Sequence, residues 1–302
     1  MNFLVKNNQN LNHVELLKNL KMVDYKRGIK VSGNRGYYLI GPGVLLNLGL
    51  IQYGLDFMLK KNFICLQTPF YMNEKILKCC VQLKDFIEQL YSMGKNDNKF
   101  LIATSEQTIC AFHQKEKIHY ENLPMKYVGV STCFRKESGS HGKDTNGIFR
   151  VHQFEKIEQF IISNYKNYDS WKFYEILLNN SKEFYNSLEI PYLCLNIPPF
   201  DLNKTASRKT DILGWFPSSS KYQELVSCSN CLEYQSENLN IETYKNDNSF
   251  KKVYLHLLNS TLCATTRTIC CIAENYSDFH GLIVPAVLRD YVGFSFIPYS
   301  NN

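Results

Sequence analysis

Between Cys133 and Ile162 the chain reads CFRKESGSHGKDTNGIFRVHQFEKIEQFII, two apolar and aromatic runs with charged residues inside them. Arg135 and Glu137 are two apart, as are successive members of the set Phe154, Lys156, Glu158 and Phe160. Alternate residues of a strand share a face, so each set predicts one polar, partly aromatic sheet face. An arginine offers a planar fork to phosphate oxygens, a carboxylate accepts hydrogen bonds from an amino group, and an aromatic ring stacks on a base. Together these residue types would hold a nucleotide and an amine. The same pattern also fits a solvated sheet face laced by cross-strand ion pairs. Cys228 and Cys231 have the CxxC spacing of half a zinc site, but no second pair follows at a suitable distance in the sequence. That favours a metal-free structural role.

The elements that must position these groups follow from periodicity. KYVGVSTCFRKE and FRVHQFEKIEQFII read as strands of a long antiparallel hairpin, with the Gly-rich segment as its loop. Val44, Leu48, Ile51, Leu55 and Met58 recur at helical spacing. A strand, FICLQTPF, follows, and Pro69 belongs at a strand end, bulge or edge because it donates no ladder hydrogen bond. EKILKCCVQLKDFIEQLY reads as a helix, and FLIATSEQTICAFHQ as a strand running into a helix near Thr104 to Glu106. DSWKFYEILLNNSKEFYNSL is helical, YQELVSCSN and KVYLHLLN are strands, and ATTRTICCIAENY is the final helix. This mixture without regular β-α-β alternation predicts an α+β domain around an antiparallel sheet.

Composition sets the bounds. A chain of 302 residues with 44% hydrophobic content can bury a substantial core. A net charge of +6 and a pI near 8.6 permit a polyanionic partner without identifying one. Eleven cysteines without disulfide-like spacing or a signal peptide fit reduced thiols in the cytoplasm. The apolar runs TICCIAEN and GLIVPAVL are short and interrupted, so no membrane segment is expected.

The wording of the motifs adds a family. TSEQ, CFRKE, GIFRVHQFEKIEQF, WFP, ELVSCSNC, LNSTLCATTRT and a final VP pair occur in the order found in seryl-tRNA synthetases of the eukaryotic type. The chain thus resembles the class II aminoacyl-tRNA synthetases from about His13 to Pro298. The resemblance implies that family's fold, an antiparallel sheet flanked by helices, and a homodimer formed through the Val44 helix and the strand ending at Pro69. It implies a two-step reaction: L-serine and ATP give seryl-adenylate and pyrophosphate, and the seryl group then passes to the 3′ end of serine tRNA.

Residue by residue, the resemblance makes Arg135 and Arg267 catalytic. It assigns ATP contacts to Arg135, Lys136, Glu137, Val151, His152, Gln153, Phe154, Glu224, Leu225, Val226, Ser227 and Arg267. Phe154 would stack on adenine with Arg267 on the other side, and Glu224 and Ser227 would hold Mg²⁺ with ATP. Serine would meet Thr104, Ser105, Glu106, Arg135, Glu158, Asn259 and Thr261. His141 and His152 invite a reading as general bases, but the family needs none, which implies structural or loop roles.

Some positions depart from the family. Lys143 and Asn146 stand where arginines are usual, Leu213 where an acidic residue is common, Ala286 in place of a glutamate, and Glu237 with Asn238 in place of a basic pair. No sustained heptads signal the N-terminal coiled-coil arm that grips tRNA in this family. Residues 1–30 read as a lead-in and 31–302 as the catalytic domain. Three readings stay open at this point: a serine–tRNA ligase, a serine-adenylating enzyme with another acceptor, and a noncatalytic dimeric binding module.

Overall fold

Seven strands form the central sheet of the computed structural model, which describes residues 11–82, 87–94, 97–137, 147–166, 168–244 and 253–300. In chain order they are β1 (Ile64–Gln67), β2 (Met125–Phe134), β3 (Gln153–Ser163), β4 (Tyr192–Asn196), β5 (Arg208–Phe216), β6 (Lys221–Asn230) and β7 (His256–Ala264). Their spatial order is β1-β2-β3-β7-β6-β5-β4. Every pair is antiparallel except β1 with β2, which is parallel. The sheet is therefore antiparallel, as the sequence predicts, apart from the one parallel pair at the β1 edge. Pro69 lies just past the end of β1, as its missing N–H requires.

The helices are α1 (His13–Asn19), α2 (Tyr25–Ser32), α3 (Pro42–Leu59), α4 (Glu74–Cys80), α5 (Ser105–Cys110), α6 (Asp169–Ser187), α7 (Tyr234–Leu239), α8 (Thr265–Tyr276) and α9 (Arg289–Val292). Helices α3, α6 and α8 pack on one face of the sheet. There Gln159 of β3 donates to Ser181 of α6 at 2.9 Å, and a Cβ at Gly54 of α3 would come within 2.3 Å of Ile157. Short α5 lies on the opposite face, against Gly129 of β2. Asn12 opens α1 through a capping box with Glu15, and Leu16, Leu17 and Leu20 enter the same core as the sheet and α8.

Four expectations change. α4 ends at Cys80, and residues 83–86 lie outside the described residues. KVYLHLLN is not one strand: a two-residue strand at Val253–Tyr254 precedes β7, which runs on through STLCA. ATTRTICCIAENY is followed by α9, a further short helix. In α3 the buried line is Leu46, Leu50, Gly54 and Met58, whereas Val44 and Leu48 of the expected face are 38% and 54% exposed. The helix is apolar almost all round, so its period could not choose a face; the close approach at Gly54 does. With a mean hydropathy of 1.2 over its 18 residues, α3 is long and apolar enough to cross a membrane by length and composition alone. Packing against β3, β7, α8 and α9 buries 39% of that stretch.

Two β-bulges shape the sheet. In β6, Val226 pairs with Ile212 and Glu224 with Leu213, leaving Leu225 as an extra residue. In β7, Thr261 pairs with Glu158 and Cys263 with Ile157, leaving Leu262 extra. A bulge shifts the alternation of side chains by one position.

Candidate active site

Cross-strand register assembles the site on the face opposite α3 and α6. Gly129, Ser131 and Cys133 of β2 pair with Glu158, Lys156 and Phe154 of β3, and Asn259 and Thr261 of β7 pair with Phe160 and Glu158. Glu224 and Ser227 are three apart and would face opposite ways in a regular strand. The bulge at Leu225 pairs them with Leu213 and Asp211, two apart, so both join the site face.

One pocket is built from five of the expected residues. Thr104 caps α5, its hydroxyl accepting from the Glu106 N–H at 3.2 Å, which sets Glu106 in the first turn. Asn259 donates to Glu106 Oε1 at 3.0 Å, and Gln235 of α7 donates to the same oxygen at 3.5 Å. Thr104 and Thr261 hydroxyls donate to Glu158 Oε2 at 3.5 and 3.3 Å, while Lys156 Nζ lies 2.6 Å from that oxygen. Burial, then the Glu158 charge, pushes the Glu106 carboxyl up to about 7; Lys156, the Gln235 hydrogen bond and Arg135 pull the other way. Ser105 is fully buried beneath this group against Gly129.

A second cluster lies beside it. Arg135 follows β2 rather than lying in it, which corrects the expectation that Arg135 and Glu137 share a strand face. Strand pairing ends at Phe134 with Gln153, and Arg135 instead exchanges bonds with His152: its N–H donates to the His152 carbonyl, and its carbonyl meets His152 Nδ1, both at 2.9 Å. The chain then turns at Glu137, whose φ of 50° is left-handed. Arg135 donates through Nε to the Ala103 carbonyl at 3.3 Å, with its guanidinium 5.2 Å from the Phe154 ring centre. Glu137 is held by Arg150 at 3.4 Å and Arg35 at 3.8 Å. The Lys136 ammonium lies 5.9 Å from the Tyr91 ring centre, and the Gln153 carbonyl accepts from Tyr37.

Arg267 sits in the first turn of α8, where the helix dipole disfavours a cation. Its guanidinium is 5.0 Å from the Phe149 ring centre, and it donates to the Glu224 carbonyl at 3.0 Å and pairs with the Glu224 carboxylate at 3.3 Å. Burial lowers the Arg267 pKa, and neighbouring Arg135 and Arg150 lower it further against the pull of Glu224. Burial by itself would raise Glu224, yet Arg267, Lys209, Arg135 and Lys156 together hold it below its ordinary value. Val151, Leu225 and Val226 put their side chains into the core.

Cys228 and Cys231 are buried apart from any cluster of three metal-ligating side chains among the described residues. Burial pushes Cys228 up to about 12 and raises Cys231 as well. His141, Lys143 and Asn146 lie outside the described residues. Sequence reasoning gave no role to Lys156, Gln235, Arg150 or Phe149, although Lys156 stands two before Glu158 and so was legible as its same-face neighbour.

Comparison with known proteins places the chain in a family. Residues 90–276 match the tRNA synthetase class II core domain (G, H, P, S and T). The cytoplasmic serine–tRNA ligase of Dictyostelium discoideum is 53% identical over 291 residues, covering 96% of this chain and 64% of that protein's length. Among solved structures, the cytoplasmic serine–tRNA ligase of Naegleria fowleri in complex with AMP superposes with a TM-score of 0.93 at 46% identity, over 96% of this chain and 68% of that one. The seryl-tRNA synthetase of Pyrococcus horikoshii complexed with ATP gives 0.92 at 40%, over 96% and 64%. Fold and sequence are thus shared with these proteins over nearly the whole chain, and the chain belongs to the class II aminoacyl-tRNA synthetase family.

Proposed function

We propose that the chain is the catalytic part of a serine–tRNA ligase, with residues 31–302 as the catalytic domain and 1–30 leading into it. The observation that carries this reading is the pocket in which Glu106 and Glu158 are held by Asn259, Thr104 and Thr261 beside Arg135. Two carboxylates suit an ammonium group, and hydroxyl and amide neighbours suit a side-chain hydroxyl. A site that hydrogen-bonds a hydroxyl rejects analogues lacking it, because its buried polar groups would be left unpaired. The names and ligands of the relatives, AMP and ATP included, point the same way.

In this reading an oxygen of the serine carboxylate attacks the α-phosphorus of ATP in line. The bond to the β-phosphate oxygen breaks, giving seryl-adenylate and pyrophosphate. Arg135, anchored through Ala103 and His152, holds the α-phosphate and the reacting carboxylate, and charge gathering on phosphorus is met by its guanidinium. Arg267 takes the terminal phosphates, with the α8 N-terminus adding to its field. Phe154 and Glu137 take the adenine ring and its amino group. Glu224, kept ionised by its cationic neighbours, and Ser227 on the same face fit Mg²⁺ as donors, phosphate oxygens completing the set. Bound there, Mg²⁺ would neutralise phosphate charge. A ribose hydroxyl of serine tRNA then attacks the seryl carbonyl, and AMP leaves.

The exposed apolar line Val44, Leu45 and Leu48 on α3, with Ile64 on the edge strand, suits burial in a homodimer. The cytoplasmic naming of the Dictyostelium relative supports a cytoplasmic location.

The test is serine-dependent ATP–pyrophosphate exchange, followed by acylation of serine tRNA. Both activities are expected. Exchange without charging would replace tRNA by another acceptor, and absence of exchange would leave a binding module.

A further inference from the structure

Lys156 is the residue of this pocket that no expectation used. It lies on the site face of β3 with its side chain 7% exposed, and its Nζ is 2.6 Å from Glu158 Oε2. That oxygen also takes the hydroxyls of Thr104 and Thr261, whereas none of these three bonds goes to Oε1. Three donors on one oxygen fix the rotation of the carboxylate.

Charge balance gives the lysine a second task. Glu106 and Glu158 repel each other across the pocket, and like carboxylates at close range resist joint ionisation. The titratable and charged groups around them are Cys133 from β2, Arg135 beyond it, Cys110 from α5, Glu224 from β6, Cys231 just after it, and Lys156 itself. Burial raises all three thiols, so they stay neutral near pH 7. Arg135 is already committed to the Ala103 carbonyl and the Phe154 ring, and Glu224 to Arg267. Lys156 is the cation in direct contact with Glu158 and also acts on Glu106 through its charge, and a lysine is suited to this as a compact point charge with three donors.

We propose that Lys156 is a positioning residue for amino-acid recognition, fixing Glu158 through Oε2 and balancing the Glu106–Glu158 pair so that both carboxylates receive the incoming ammonium and hydroxyl groups as acceptors. The inference rests on the amino-acid-activating reading given above. Lys156 touches neither phosphorus nor the reacting carboxylate; it acts through Glu158 and Glu106.

The experiment compares the wild-type chain with Lys156→Met and Lys156→Arg in serine-dependent ATP–pyrophosphate exchange from about pH 6 to about pH 9. For Lys156→Met the serine KM rises about tenfold or more while the ATP KM stays within about threefold. The acid limb of kcat/KM for serine moves up by about one pH unit, and Lys156→Arg restores the limb but only part of the KM. An unmoved limb, or a larger loss on ATP than on serine, overturns the proposal.

Thermal unfolding of the same proteins supplies a readout independent of activity. A carboxyl whose folded pKa is raised gives stability that is full at low pH and is lost as pH climbs through the folded value. The deficit of Lys156→Met relative to wild type therefore grows between about pH 6 and about pH 8. A deficit that does not change with pH marks a packing role and overturns the charge balance. Wild-type protein that shows no serine-dependent exchange sinks the amino-acid reading instead, and the melting series still decides whether Lys156 balances the pair.

Discussion

Arg135 and Glu106 are placed by different means, and each placement has a measurable consequence. Arg135 is held by backbone exchange with His152 and by the Ala103 carbonyl, so its guanidinium is fixed before any ligand arrives. Arg135→Ala is expected to lower serine-dependent exchange by about 10²–10³-fold with an unchanged circular dichroism spectrum, and near-normal exchange would remove it from the reaction. Glu106, raised to about 7 chiefly by burial, gains a proton as pH falls through that value and then no longer attracts an ammonium ion. The serine KM should therefore rise below about pH 7, and Glu106→Gln should flatten that rise; a wild-type KM constant down to about pH 5.5 would contradict the assignment. At this scale the sequence was informative: strand alternation linked Lys156 with Glu158, and the motif resemblance supplied Glu106, Asn259 and Thr261. It could not place Arg135 beyond the strand, because strand pairing gives way there to the exchange with His152, which depends on where β3 begins.

Among the elements, helix positions were read well where polar caps and one-sided patterns existed, as in α5 with Thr104, and poorly where the helix was apolar on all sides, as in α3. Close backbone approach is the other hidden quantity. A Cβ at Gly28 of α2 would fall 2.3 Å from Tyr37 Cα and 2.5 Å from the Gly36 carbonyl oxygen. Since Tyr37 donates to the Gln153 carbonyl at the start of β3, this contact ties α2 to the site. Gly28→Ala should destabilise the fold by about 1–3 kcal/mol in urea unfolding, the clash outweighing the helix-propensity gain of alanine. An unchanged midpoint would mean that α2 can shift without cost. The spacing of Glu224 and Ser227 was itself a signal of irregular structure, since three residues cannot keep one face of a regular strand.

Across the whole molecule, the first described helix is joined to the last long one. The His13 N–H donates to Glu274 Oε1 at 3.0 Å, its ring nitrogen lies 2.8 Å from the same oxygen, and the Ser218 N–H donates to Oε2 at 3.0 Å. Burial would raise Glu274, but these bonds from His13 and Ser218 hold it below its ordinary value. This stability is therefore present above the unfolded carboxyl pKa, about 4.3, and is lost as pH falls through the lower folded value. Glu274→Ala should cost about 2–3 kcal/mol near pH 7 and progressively less in acid, as followed by thermal unfolding; a pH-independent deficit would point to packing alone. No local pattern could reveal a bond between residues 261 positions apart. The two bulges bear on the chain as a whole in another way. Because Leu225 and Leu262 are single extra residues, each is the one position where its strand could lose a residue and keep every pairing, whereas deleting a paired residue such as Ser260 would draw Leu262 into the ladder opposite Glu158 in place of Thr261. Such strands can change their letters over evolutionary time far more freely than their length.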